Sequence, residues 1–256
     1  MDNTPFFLIG CVRSGTTLLR NLLRKHPRLE SPEETHFFRW AEPFGTERYK
    51  DFYRGSKLFR KHITLDGITE QNFFSLFDLA KDKKEMADNY GKLFLKVKCN
   101  EQARWFDKTP QNIYGVLLLN SYYPNSKFIH IYRNPLNVVS SLMEGIVMPK
   151  SSIDGAINYW TETMRQIEQI KPILGDRLYE ISYEALCKDS VEFVRRLINY
   201  LGEDASVYPF EDEMTHPEKD KYLEKLDSTQ VEYISNRCEP YLSSYNYKCY
   251  MEFIQL

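Results

Sequence analysis

The sequence predicts an α/β fold, a single domain with a central parallel sheet flanked by helices, and three observations carry that prediction. An apolar run, Phe6-Phe7-Leu8-Ile9, is short enough for a buried strand and leads through a glycine-bounded loop into leucines at helical spacing. A second run, Lys127–Tyr132 (KFIHIY), again ends in a turn, Arg133-Asn134-Pro135, and a helix. Elsewhere short apolar runs alternate with helical patterns, as in sheets joined by crossover helices.

In chain order, the opening strand is followed by Gly10-Cys11-Val12-Arg13-Ser14-Gly15-Thr16-Thr17 and a helix from Leu18 to His26, stopped by Pro27. Arg39–Ala103 is the least regular part, rich in charge and aromatics, with helical patterns over Asn72–Ala80 and Lys81–Tyr90. It is read as a lid or acceptor-binding insertion (39–103) within one domain spanning 1–256. Leu93–Val97 (LFLKV) reads as a strand and Asn112–Tyr122 as a helix ended by Pro124. After the Lys127–Tyr132 strand come a helix over Leu136–Met143 and a long amphipathic helix over Ile153–Leu174, stopped by Gly175. Leu178–Ile181 is a third short strand, and Ser190–Leu201 a helix ended by Gly202. Glu203–Glu218 reads as loop, and Ser228 as the cap of a last helix over Gln230–Tyr241.

Composition narrows the function. At 256 residues the chain has the size to bury a large core. A net charge of −2 gives no polyanion-binding signature, which argues against nucleic acid as partner. Aromatic residues make up 14%, a share assigned mainly to packing. The 5 cysteines (Cys11, Cys99, Cys187, Cys238, Cys249) are scattered with no C-x-x-C pair, so neither a disulfide scaffold nor a zinc site is indicated. No basic-then-apolar leader opens the chain and no membrane-spanning run occurs, so a cytoplasmic location is expected.

The first loop has the chemistry of a phosphate cradle, with backbone N–H groups and a helix N-terminus facing an anion. Gly10 and Gly15 have the separation of the nucleoside-triphosphate P-loop and Thr17 fills its Ser/Thr position, but Thr16 stands where the phosphate-gripping lysine belongs. The second strand ends in Arg133 instead of a metal-binding Asp. Both departures count against ATP or GTP and suit a 5′-phosphate bearing a smaller group, with Arg13 upon it. Ser141 lies about two helical turns beyond Arg133, so the strand end and one helix face can hold a second phosphate. Two anion grips match a nucleotide phosphorylated at both 5′ and 3′ positions.

These motifs resemble those of the sulfotransferases that use 3′-phosphoadenosine 5′-phosphosulfate (PAPS), most of all the bacterial members and the tyrosylprotein branch. Arg13-Ser14-Gly15-Thr16-Thr17-Leu18 is similar to the 5′-phosphosulfate loop, and Arg133-Asn134-Pro135 through Ser141 to the 3′-phosphate motif. His26-Pro27, Glu33-Glu34-Thr35 and Tyr179–Leu186 (YEISYEAL) also fall where the family has them, so the resemblance runs over roughly residues 6–202. It implies a P-loop-like fold and transfer of a sulfonate from PAPS to a hydroxyl, less readily an amine, on a small molecule, glycan or peptide. Adenosine 3′,5′-bisphosphate (PAP) leaves, and no metal is required.

The resemblance places Glu34 as general base, with Glu33 one residue away and His36 as rivals, since cytosolic sulfotransferases use a histidine. It places Lys108, in Asp107-Lys108-Thr109-Pro110, as a cation supporting the transition state, and Arg13 on the 5′-phosphate and bridging oxygen. Ser14, Gly15, Thr16, Thr17 and Leu18 would form the cradle, with Arg133 and Ser141 on the 3′-phosphate. Trp105, Phe106 and Tyr183 are candidates to stack near adenine, with core packing as the competing reading. The terminal glycine-rich loop of cytosolic sulfotransferases is not evident. Arg195, Arg196, Lys219 and Lys221 are the candidates to complete the 3′-phosphate site. Two alternatives stay open: an atypical P-loop kinase, and a non-catalytic PAP- or nucleotide-binding protein.

Overall fold

The computed structural model describes residues 3–145, 150–212 and 214–247; Cys249 lies outside them. Strands β1 (Phe6–Gly10), β2 (Leu29–Glu30), β3 (Arg104–Lys108), β4 (Phe128–Tyr132) and β5 (Leu178–Ser182) form one sheet in the order β2-β3-β1-β4-β5. All neighbours pair in parallel, with Phe6 opposite Phe106, Phe7 opposite Phe128 and Ile131 opposite Ile181.

The central strand shows why an unbroken apolar run was needed. Phe6 and Leu8 pack on one face with Leu19, Leu22 and Leu23 of α1 (Thr16–Leu23) and with Val194, Leu197 and Ile198 of a later helix. Phe7 and Ile9 point to the other face, into a cluster holding Tyr90, Phe94, Phe128 and Ile167. Alternate residues thus serve two cores, as expected of a parallel strand covered on both sides. His26 falls beyond α1, which ends at Leu23 with Arg24 as its C-cap.

Between β2 and β3 lie four helices, α2 (Glu47–Gly55), α3 (Lys57–Leu65), α4 (Glu70–Leu79) and α5 (Lys83–Val97). Their start signals are Thr46, Ser56, Thr69 and Asp82, each accepting a hydrogen bond from the N–H three residues on. The aromatics here are packing groups: Tyr53 meets Phe59 at 4.7 Å and Phe59 meets Phe73 at 4.6 Å between ring centres.

One expectation fails in this region, and one strand was not foreseen. Leu93–Val97 is the last turn of α5, whose buried residues Met86, Ala87, Tyr90, Gly91, Phe94 and Leu95 follow a helical period that five residues read alone conceal. The strand is instead Arg104–Lys108, fully buried although three of its five residues carry charge. Arg104 and Lys108 find their acidic partners, Glu203 and Glu34, far away in sequence, so composition hid it.

Beyond β3, a short 3-10 segment at Pro110–Gly115 precedes α6 (Val116–Tyr122). Then come α7 (Pro135–Glu144), α8 (Ile153–Leu174), α9 (Tyr183–Lys188), α10 (Ser190–Leu201) and α11 (Ser228–Leu242). α7, α8 and α11 share a third core around Val138, Val139, Trp160, Met164 and Ile234. Glu203–Glu218 is mostly irregular, with one short turn of 3-10 helix at Ala205–Val207. The cap of α11 is Asp227, not Ser228: its carboxylate accepts from Gln230 N at 2.8 Å while the Gln230 side chain accepts from Asp227 N, a capping box. Ser228 is the first helical residue.

Candidate active site

The loop after β1 lies at the carboxyl edge of the sheet, beside a strand with a neighbour on either side, the position where α/β sheets hold ligands. Its backbone is forced into unusual shapes. Arg13 (φ 72°) and Gly15 (φ 95°) are both left-handed, which turns the chain into α1 and leaves Gly15 as its N-cap. A Cβ on Gly15 would come within 2.2 Å of the Tyr183 ring, so only glycine fits. Ser14 is fully buried and its Oγ has no partner among the described residues. An orphaned hydroxyl, a bare helix N-terminus and a glycine held clear of a ring form a cradle that fits a phosphate.

Beside the cradle, β3 delivers Lys108. Its Nζ donates to Glu34 Oε1 at 2.5 Å and reaches Thr17 Oγ1 at 3.4 Å. Burial pulls the Lys108 ammonium below its ordinary value against the attraction of Glu34. Burial likewise opposes the Glu34 charge, but the Lys108 ammonium outweighs it and holds the carboxyl below the usual range. A carboxyl held below its ordinary range is ionised at neutral pH, so Glu34 is a carboxylate there. His36 Nε2 lies 3.7 Å from Glu34 Oε2, and burial drives His36 down to about 4, so this contact is not an ion pair near neutrality. Glu33 faces elsewhere, pairing with Arg20 at 2.7 Å and Arg24 at 3.7 Å.

What aims Glu34 is a second set of contacts that sequence reading missed. Asp107, 1% exposed, accepts from Thr35 Oγ1 (2.7 Å), Thr109 Oγ1 (2.8 Å) and Asn112 Nδ2 (2.9 Å). Thr109 Oγ1 also accepts from the N–H groups of Thr35 (3.0 Å) and His36 (3.3 Å). Two adjacent pairs, Glu34–Lys108 and Thr35–Asp107, therefore join the same two segments, one pair at the site and one in the interior. Burial pushes Asp107 up to about 6, against the pull of its three donors. The sequence signal was a pair of opposite charges followed by a hydroxyl, Asp107-Lys108-Thr109, at the end of a strand with no solvent face.

The second grip opens into a cleft of roughly 600 Å³ lined by Arg13, Arg133, Ser141, Tyr183, Glu218 and Lys221, among others. Arg13 Nε donates to Ser141 Oγ at 2.9 Å, and Arg133 Nη1 to the Arg13 carbonyl at 3.2 Å. The groups read as separate 5′ and 3′ grips are thus bonded to each other. The Arg133 guanidinium lies 4.3 Å above the Tyr183 ring and pairs with Glu218. Of the remaining cations, Lys219 and Lys221 line the cleft with Lys225, and the His216 ring lines it too. Arg196 pairs with Glu192, and Arg195 stacks on Phe210. Leu18 lines the cleft, while Trp105 and Phe106 are core residues, Phe106 stacked on Phe6 at 4.6 Å. Asn137 ties α7 to the strap over the cleft, donating to Asp220 Oδ1 at 3.0 Å.

Comparison with known proteins agrees with this architecture. A family model described as "Sulfotransferase family" matches residues 5–206. The nodulation protein NoeE of Sinorhizobium fredii is 29% identical over 136 residues, 53% of this chain and 30% of its own length. Protein-tyrosine sulfotransferase A of Caenorhabditis elegans is 24% identical over 226 residues, 84% of this chain and 53% of its own. The chain thus spans about half or less of these two relatives. Among solved structures, the sulfotransferase domain from the curacin biosynthetic pathway superposes with a TM-score of 0.63 at 17% identity, covering 95% of this chain and 98% of that one. Mouse sulfotransferase SULT7A1, solved in complex with PAP, gives 0.53 at 13% identity, covering 100% and 90%. This chain belongs to the sulfotransferase family.

Proposed function

We propose that this member of the sulfotransferase family transfers the sulfonate of PAPS to an acceptor hydroxyl, less readily an amine, and releases PAP. The observation that carries the reading is the Lys108–Glu34 pair at 2.5 Å, beside Thr17 at the mouth of the loop. PAPS supplies an activated sulfonate on a phosphate leaving group. In line with it, the acceptor oxygen forms a bond to sulfur as the bond from sulfur to the bridging phosphate oxygen breaks.

The chain's own groups do the rest. Glu34, held ionised, takes the acceptor proton. Lys108 faces charge that builds on the departing oxygen, in a site where burial strengthens its field. The N–H groups of Ser14–Thr17 and the Ser14 hydroxyl hold the 5′-phosphate, and Arg13 spans from it toward Ser141. Arg133 and Ser141 take the 3′-phosphate, with the Tyr183 ring under the guanidinium. His36, uncharged at neutral pH, shapes the acceptor side of Glu34. The helices of 39–103 lie next to that side and are proposed to select a small-molecule, glycan or peptide acceptor. No helix among the described residues is long and apolar enough to cross a membrane; we place the protein in the cytoplasm.

Two measurements test the reading. PAP at about a hundredfold excess over its Kd should stabilise the protein by roughly 2.7 kcal/mol, on the order of 5–10 °C in Tm, with EDTA making no difference. A shift from Mg·ATP alone would move the protein to the kinase reading. With radiolabelled PAPS and an acceptor panel, Glu34→Gln should lose transfer by about 100-fold or more while keeping its PAP shift. Retained transfer would sink Glu34 as the base.

A further inference from the structure

The cleft already contains an anion of its own. Arg133 is held on three sides: Nη1 donates to the Arg13 carbonyl at 3.2 Å, its face rests 4.3 Å over Tyr183, and Nη2 pairs with Glu218 Oε2. The pair is largely out of water, with side-chain exposures of 15% for Arg133 and 10% for Glu218. Glu218 does not lie there by chance of a loose surface chain. Its other oxygen accepts from the backbone N–H of Lys219 (2.9 Å) and Asp220 (3.2 Å), which fixes the carboxylate in the turn before Tyr222. Asp220 and Tyr222 are in turn anchored to Asn137 of α7, at 3.0 Å and 3.4 Å.

We propose that Glu218 is a specificity-determining residue, an internal counter-anion that a 3′-phosphate must displace from Arg133. The inference rests on the reading of the cleft as a PAP site. Without Glu218, a largely buried guanidinium in an empty cleft has no counter-charge, a costly arrangement. With it, the empty site is stable, and a ligand gains from Arg133 only if its own anion is the better partner. A phosphate carries more charge and more acceptor oxygens than a carboxylate, so it wins the exchange; a 3′-hydroxyl does not. The released carboxylate then sits near bound phosphate and repels it, which keeps product affinity low enough for PAP to leave. A second carboxylate in the same cleft, Glu144, sits on Lys225 at 2.5 Å, whereas among the described residues Lys219 and Lys221 carry no such partner and are available to the incoming phosphate.

The test is calorimetric titration of the wild-type chain, Glu218→Gln and Glu218→Ser with PAP and with adenosine 5′-monophosphate, which lacks the 3′-phosphate. Both variants should bind PAP about tenfold more tightly or better, about 1.4 kcal/mol, while the monophosphate changes less than about twofold. The serine variant guards against one misfolded protein deciding the matter, and melting curves confirm that each variant folds. Unchanged or weaker PAP binding would overturn the proposal, because Glu218 would then be a support for Arg133. Equal tightening of both nucleotides would overturn it too, as a general charge effect. Failure of the folded wild type and both variants to bind PAP would instead overturn the PAPS reading itself.

Discussion

Replacing Thr109 by valine removes a single oxygen from the interior, and the structure specifies what that oxygen does. Thr109 is fully buried; its hydroxyl donates to Asp107 Oδ1 at 2.8 Å and accepts from Thr35 N at 3.0 Å and His36 N at 3.3 Å. Valine keeps the volume, so no cavity opens, but two backbone N–H groups lose their acceptor and Asp107 loses one of three donors. A buried group left unsatisfied costs about 1–3 kcal/mol. Counting the 3.3 Å bond as weak, Thr109→Val should cost roughly 3–5 kcal/mol. At about 2–4 °C per kcal/mol for a chain of this size, Tm should fall by on the order of 10 °C. Thr109→Ser keeps every bond and loses one methyl, about 1 kcal/mol. Thermal unfolding of the two variants side by side is the assay. If they melt within about 2 °C of each other, the hydroxyl is not what ties the Glu34 turn to β3. In the labelled-PAPS assay serine should also restore most of the transfer that valine loses, since the same hydroxyl sets the position of Glu34.

Other outcomes follow from the same contacts. Gly15→Ala places a methyl 2.2 Å from the Tyr183 ring at φ 95°, so it should abolish PAP stabilisation and lower Tm; an unchanged PAP shift would mean the loop is not the cradle. Away from the site, burial works against the Glu180 charge, but His130 and Lys171 hold its pKa down at about 2. A depressed acid stabilises the fold above its unfolded-state pKa and loses that contribution as pH falls through the folded value. Glu180→Gln should therefore lower Tm at neutral pH, with the difference from wild type shrinking as pH falls from about 4.5 toward 2. A Tm difference independent of pH would refute the assignment.

Much of the architecture was legible in the chain because it rests on local rules. β1, β4 and β5, the long α8, and the glycine-framed loop are each set by apolar period, stop residues or backbone conformations that only certain residues adopt. Arg13, Arg133 and Ser141, the proposed anion-binding groups, stood out for the same reason, since they follow strands that local pattern reveals. β3 was not legible: a strand reading Arg-Trp-Phe-Asp-Lys is polar until distant partners neutralise it, Arg104 through Glu203 at 3.6 Å and Lys108 through Glu34. α2 and α3 were not read in the irregular Arg39–Ala103 stretch although Thr46 and Ser56 cap them, and their packing with Phe37 is a long-range outcome.

What the sequence by itself determined is the parallel α/β frame, the loop that only glycine can build, and the types of side chain brought to the site. Tertiary structure alone decided which of two neighbouring glutamates faces Lys108, because that choice depends on Arg20 and Arg24 capturing Glu33 while Asp107 captures Thr35. It also decided that Arg133 meets Glu218 across a separation of many residues. Period and spacing act over a few residues, whereas charge pairing in a low-dielectric interior depends on which chain segments the fold brings together.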